Sequence, residues 1–140
     1  MIKAVIDTNV ILDIALKREP FFNYSARIFE CIDDQTLEGY ITASSITDIY
    51  YIATKQRDKY LARNFLLNLI QIIEIIGVDR DIVIQALECD MPDFEDAIQS
   101  FSAKSNSIDL IITRNKADFA KSGLKVLYPL EFLQSLNIPY

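Results

Sequence analysis

Residues 2–10 read Ile2-Lys3-Ala4-Val5-Ile6-Asp7-Thr8-Asn9-Val10, and the change of character at Asp7 decides the fold class. Ile2 to Ile6 is short, β-branched and nearly free of polar side chains, the pattern of a buried strand. Asp7-Thr8-Asn9 then interrupts it. Beyond that break Val10, Ile11, Ile14 and Ala15 recur at helical spacing, predicting a helix over 9–17.

The same alternation continues outward. Ala26, Phe29 and Ile32 predict a helix over 23–34, and Gly39-Tyr40-Ile41-Thr42 a short strand. Ile46, Ile49, Tyr50 and Ala53 stand at i, i+3, i+4 and i+7, predicting a helix over 45–56. Another helix is expected near 58–69, an apolar strand at 71–76, and helices at 80–89 and 93–104. Residues 109–113 and 125–127 read as strands, and Pro129 opens a last helix over 129–136. Short β-rich runs alternating with amphipathic helices imply an α/β fold, a largely parallel sheet with helices on both faces. The expectation is one domain spanning 1–140, which is one domain's worth of chain. In such sheets the site lies beyond the carboxyl ends of the strands. Asp7 and the 113–118 loop should therefore face one crevice.

The residue inventory narrows the chemistry. There is no histidine, which excludes Ser-His-Asp and Cys-His catalysis and makes a zinc site unexpected. The three glycines, Gly39, Gly77 and Gly123, are isolated, so no phosphate-cradling glycine loop exists. Cys31 and Cys89 carry no CxxC spacing and read as reduced core residues. Chemistry is left to carboxylates, hydroxyls, amides and Lys/Arg, and carboxylates select Mg²⁺, Mn²⁺ or Ca²⁺. The net charge of −6 argues against a nucleic-acid binder. That objection weakens if the acids converge on bound cations, which reverse the local field. No secretory pattern opens the sequence. Its most apolar stretch, Phe65–Val78, is interrupted by Asn68, Gln71 and Glu74 and falls short of a bilayer span. A cytoplasmic protein with no membrane association is the expectation.

Each acidic candidate has an ordinary structural explanation. Asp7 can cap the helix after it, but a carboxylate at a strand's end is costly to bury unless paired or metal-bound. Asp48, in Ser45-Ile46-Thr47-Asp48, fits a capping box. Asp93 and Asp96 share one side of helix 93–104 near its positive end, with Phe94, Ala97, Ile98 and Phe101 as its core stripe. Asp93 also suits an N-cap. Thr113-Arg114-Asn115-Lys116-Ala117-Asp118-Phe119 offers a hydroxyl, an amide and a carboxylate in one loop, or simply a turn with solvated Arg114 and Lys116.

Their order along the chain is more specific than any one of them. Ile6-Asp7-Thr8-Asn9-Val10, Ala43-Ser44-Ser45-Ile46-Thr47-Asp48-Ile49, Asp93-Phe94-Glu95-Asp96-Ala97 and the 113–119 loop together resemble the successive motifs of PIN-domain nucleases. The resemblance covers the whole chain and extends to the small VapC-like toxins. It implies a three-layer α/β/α fold and a Mg²⁺- or Mn²⁺-dependent endoribonuclease. Asp7, Asp96 and Asp118 would be the principal ligands, and Asp93 an auxiliary one. Asp48 stands where the family usually has Glu and would ligate or orient water. Thr8, Asn9, Thr113 and Asn115 would tie carboxylates or water by hydrogen bonds.

The resemblance further implies RNA hydrolysed by metal-activated water to 5′-phosphate and 3′-hydroxyl ends. Arg114 and Lys116 are candidates for substrate phosphate, as are Lys55, Arg57, Lys59 and Arg63. Expected partners are RNA, a basic antitoxin protein and a second copy of the chain. Two alternatives remain at this point: a PIN-like binding module with a weakened site, and a phospho-acceptor receiver-type domain.

Overall fold

A computed structural model describes residues Met1–Tyr140. Five strands form one sheet: β1 (Ile2–Ile6), β2 (Leu37–Thr42), β3 (Glu74–Ile76), β4 (Leu110–Ile112) and β5 (Lys125–Leu127). Their order is β3-β2-β1-β4-β5, and every pairing is parallel. The chain builds outward from β1 in one direction, then returns to place β4 on its other side. The order therefore reverses between β1 and β4, where an open α/β sheet leaves a crevice at its carboxyl edge.

Seven helices connect the strands: α1 (Thr8–Ala15), α2 (Phe22–Asp33), α3 (Ala43–Gln56), α4 (Lys59–Leu69), α5 (Arg80–Glu88), α6 (Phe94–Ser105) and α7 (Pro129–Ser135). Alternate strand residues point to opposite faces. Ala4, Ile6, Leu110 and Ile112 join Ile11 of α1, Ile28 of α2, Ile49 of α3 and Phe132 of α7 in the larger apolar cluster. Val5 and Ile111 turn the other way, to Ala103 of α6, Ile108 and Phe119. Ile82 and Ala86 of α5 close against Ala97 and Ile98 of α6. The three-layer α/β/α arrangement expected from the alternation is thus the one observed.

Several boundaries move, for identifiable reasons. β3 covers only Glu74–Ile76, because the N–H groups of Gln71, Ile72 and Ile73 bond back to carbonyls of Asn68 and Leu69 and close α4 instead. β2 begins at Leu37, ahead of the expected 39. α3 begins at Ala43 with Thr42 at its N-cap, so Asp48 lies beyond the first turn, which holds no acid. The capping-box explanation of Asp48 falls with that shift. Phe94, expected in the core stripe of α6, is 49% exposed. The buried side of α6 is instead unusually polar, with Gln99, Ser100 and Ser102 beside Ala97, Ile98 and Ala103. Cys31 is buried, Cys89 half-buried, and both are free thiols. No helix is long and apolar enough to cross a membrane.

Candidate active site

Asp7 ends β1 at the point where the strand order reverses. Its N–H donates to the Ile112 carbonyl at 2.9 Å, continuing the β1–β4 ladder by one residue. It occupies the N-cap position of α1, yet its side chain makes no capping bond. The carboxylate is 4% exposed and held from two sides. Gln99 Nε2 donates to Oδ1 at 3.0 Å, and Thr113 Oγ1 donates to Oδ2 at 2.7 Å. Thr113 Oγ1 accepts in turn from the Asn115 N–H at 3.0 Å. Its own N–H donates to the Leu127 carbonyl, which fixes the loop after β4 against β5. Burial pushes the Asp7 carboxyl above its usual range, against the pull of Gln99 and Thr113.

The other predicted acids converge on the same crevice. A cavity of about 310 Å³ is lined by Asp7, Asp48, Asp93, Glu95, Asp96 and Asp118, with Thr8, Asn9 and Asn115 among the remaining wall residues. No Lys or Arg lines it. Asp93 caps α6 by accepting the Asp96 N–H at 2.9 Å, so its structural role and its place on the rim coexist. Asp118 comes from a short 3₁₀ turn, Lys116–Phe119, with Asn115 at its start. Asp96 is raised to about 7, by desolvation first and then by the charges of Asp7, Asp93 and Asp118.

Glu95 lies inside the Asp93–Ala97 motif but received no role from the sequence, and the structure places it on the cavity wall. Thr8 Oγ1 lies 3.0 Å from Glu95 Oε1 and 2.8 Å from Ser45 Oγ, which in turn sits 2.9 Å from Thr42 Oγ1. Glu95 is raised to about 8, by desolvation, then by its hydrogen bond to Asp48 and that residue's charge. A carboxyl pair that shares a proton is the expected response to crowded like charges. Gln99 was also missed. It is an uncharged amide on the buried side of α6, and only the tertiary contact with Asp7 gives it meaning.

The basic candidates fall elsewhere. Arg114 makes a two-pronged ion pair with Asp13 of α1, Nε to Oδ2 at 2.8 Å and Nη2 to Oδ1 at 3.2 Å. Asp13 is fully buried and also has Arg18 at 3.7 Å. Lys116 Nζ bonds Glu131 at 3.0 Å, and the Glu131 carboxylate also accepts the Tyr128 N–H ahead of α7. Neither cation is directed at the acids. Lys55, Arg57, Lys59 and Arg63 are exposed on α3, α4 and their junction, and none lines the cavity.

Oxygen donors without a competing cation are the donor set of a hard divalent ion. No three of these acids are gathered tightly enough to hold an ion alone. Mg²⁺ keeps several waters and commonly binds through one or two carboxylates, so a loose acidic cavity suits it.

A family model of the PIN domain matches residues 3–117. The chain belongs to the PIN-domain family. It is 29% identical to Ribonuclease VapC1 of Aquifex aeolicus (strain VF5) over 140 residues, covering 96% of each chain. Its fold is similar to VapBC2 from Rickettsia felis bound to a DNA fragment from its promoter. That match has a TM-score of 0.69 at 15% identity and covers 91% of this chain and 98% of the other. It is also similar to a toxin–antitoxin complex from Klebsiella pneumoniae, with a TM-score of 0.66 at 22% identity, covering 90% and 97%. The receiver-type alternative is removed, because that fold orders its strands 2-1-3-4-5.

Proposed function

We propose that residues 1–140 act as one nuclease unit, a divalent-metal-dependent endoribonuclease of the VapC type. The observation that carries this is Asp7. A buried carboxylate, pinned by Gln99 and Thr113 at the point of strand reversal, faces a cavity of acids that contains no basic side chain. Such an arrangement is costly for the bare protein and is relieved by cations.

Asp7, Asp96 and Asp118 would hold Mg²⁺ or Mn²⁺, with Asp93 at the rim and Asp48 and Glu95 lining the same cavity. When bound, the ion supplies charge neutralisation and acidified water for phosphodiester hydrolysis. The chain's own residues do the rest. Gln99 and Thr113 keep both Asp7 oxygens oriented. Thr8 holds Glu95, and Asn115 fixes Thr113 while contributing to the cavity wall. Asn9 lines the cavity within reach of water.

The likeness to toxin–antitoxin complexes supports the setting of a toxin in a type II toxin–antitoxin pair, and to it this reading adds action in the cytoplasm, a basic antitoxin and a second copy of the chain. The charge of −6 is complementary to a basic partner. A second reading rests on Asp48, where the family usually carries Glu, and makes the chain a PIN-like binding module with weakened catalysis.

Cleavage of mixed structured and single-stranded RNA, with Mn²⁺ or Mg²⁺ and with EDTA, separates the two. Metal-dependent cleavage lost in Asp7→Asn supports the nuclease. Little Mn²⁺ affinity together with no cleavage of any RNA supports the binding module. Equal cleavage by wild type and variant reveals a contaminant.

A further inference from the structure

Four hydroxyls run in a line from the end of β2 to the acidic cavity. Thr42 Oγ1 lies 3.1 Å from Ser44 Oγ and 2.9 Å from Ser45 Oγ. Ser45 Oγ lies 2.8 Å from Thr8 Oγ1, which lies 3.0 Å from Glu95 Oε1. Each hydroxyl has one proton to donate. Thr8 has two acceptors within reach, and the carboxylate is the stronger. With that bond made, all four protons run one way: Ser44 to Thr42, Thr42 to Ser45, Ser45 to Thr8 and Thr8 to Glu95.

Packing alone does not call for this line. Thr42 and Ser45 are fully buried, where apolar side chains would fill the space without desolvating a hydroxyl. Thr42 stands at the N-cap of α3, where a threonine ordinarily bonds the helix's first N–H groups. Its side chain makes no such bond and joins the line instead. The line also ties three elements together. Ser45 belongs to α3, Thr8 opens α1 directly after Asp7, and Glu95 sits on α6 beside Asp96. Glu95 is in turn hydrogen-bonded to Asp48, one turn along α3 from Ser45. Ser45, Thr8, Glu95 and Asp48 therefore form a loop that leaves α3 and returns to it. Thr8, Asp48 and Glu95 line the acidic cavity, and Ser45 stands behind them.

We propose that Ser45 is a positioning residue of the acidic site. Acting through Thr8, its hydroxyl fixes the Glu95 carboxylate, and with it the neighbouring Asp48 carboxylate, in the orientation that receives a divalent ion or the waters on it. The inference rests on the nuclease reading above. Gln99 ties α6 to β1 at Asp7, and the Ser45 line ties α6 to α3, so the cavity walls are held from both sides.

The test is manganese titration of the RNA-free protein by calorimetry, with cleavage kinetics beside it. Ser45→Ala should weaken Mn²⁺ binding about tenfold, the lower end of what a group orienting a metal site contributes. Its kcat should fall while KM for RNA stays level. Glu95→Gln should also bind Mn²⁺ more weakly. Ser45→Ala/Glu95→Gln should bind it no more weakly than Glu95→Gln alone, because the serine acts through that carboxylate. Thr8→Val removes the intervening hydroxyl with little change of shape and should match Ser45→Ala, whereas Thr8→Ser should keep wild-type affinity. Melting curves check each variant, and if Ser45→Ala does not fold, the two Thr8 variants decide. A folded Ser45→Ala or Thr8→Val with wild-type Mn²⁺ affinity overturns the inference and leaves the nuclease reading standing. So does a double variant whose loss is the product of the two single losses. A wild type that binds no Mn²⁺ overturns the nuclease reading and this inference with it.

Discussion

Gln99 and Asp7 meet through a buried hydrogen bond of 3.0 Å across 92 positions of sequence. The amide sits on α6 and the carboxylate at the end of β1, so the bond locks the helix that carries Glu95 and Asp96 to the strand that carries Asp7. Partners that orient a ligating group typically matter about 10–100-fold for metal affinity or activity. Gln99→Leu should lower kcat/KM by about that range while leaving the fold intact. Manganese titration of the variant should show weaker binding. Undiminished activity and affinity would mean that Thr113 alone suffices to hold Asp7.

Asp7→Asn separates function from stability. The buried carboxyl is raised by desolvation, so its charged form strains the bare protein. An amide of the same shape keeps an acceptor for Gln99 and carries no charge. Cleavage should fall by two orders of magnitude or more, while the metal-free Tm at neutral pH stays level or rises, the usual trade at a strained site. A clear drop in Tm would show that the charge of Asp7 stabilises the fold.

Arg114 is assigned to the fold through Asp13. Removing one partner of a buried ion pair costs about 3–5 kcal/mol, because the other charge is left uncompensated. Arg18, at 3.7 Å, compensates only partly. Arg114→Ala should therefore lose about 3 kcal/mol, or roughly 6–12 °C in Tm. Asp13→Leu/Arg114→Met should recover most of that loss. An unchanged Tm with raised KM would instead return Arg114 to direct substrate contact.

How far the site was legible follows from which forces act locally. Asp7 could be read because a strand pattern ends and a helical one begins at that residue, and strand ends mark sites in parallel sheets. Asp93 and Asp96 were legible through their spacing on one helix. Asp48 carried a misleading local explanation, removed only because α3 starts earlier, at Ala43. Glu95 lay unremarked between two aspartates, although Thr8 and Asp48 make it part of the wall. Gln99, Asp13 and Glu131 gave no signal, because their partners lie on other elements. The strand order that brings β1 beside β4 is likewise a tertiary outcome, visible in the sequence only as a family pattern.

Acidity gives the last prediction. Glu95 and Asp96 are raised to about 8 and about 7 in the metal-free protein, in both cases by desolvation first and neighbouring carboxylates next. An acid raised on folding binds protons more tightly in the native state than in the unfolded chain. Its stabilising contribution is therefore fully present below the unfolded pKa, near 4, and is lost as pH rises through the folded value. The metal-free Tm should fall between about pH 5 and 8. Divalent ions compete with those protons, so Mg²⁺ should raise Tm far more at pH 8 than at pH 5.5, and manganese affinity should climb through the same window. Glu95→Gln/Asp96→Asn should flatten both profiles. Calorimetry with and without Mg²⁺ at the two pH values reads the effect directly. A Tm rise from Mg²⁺ that is equal at both would mean that these two acids do not face the ion.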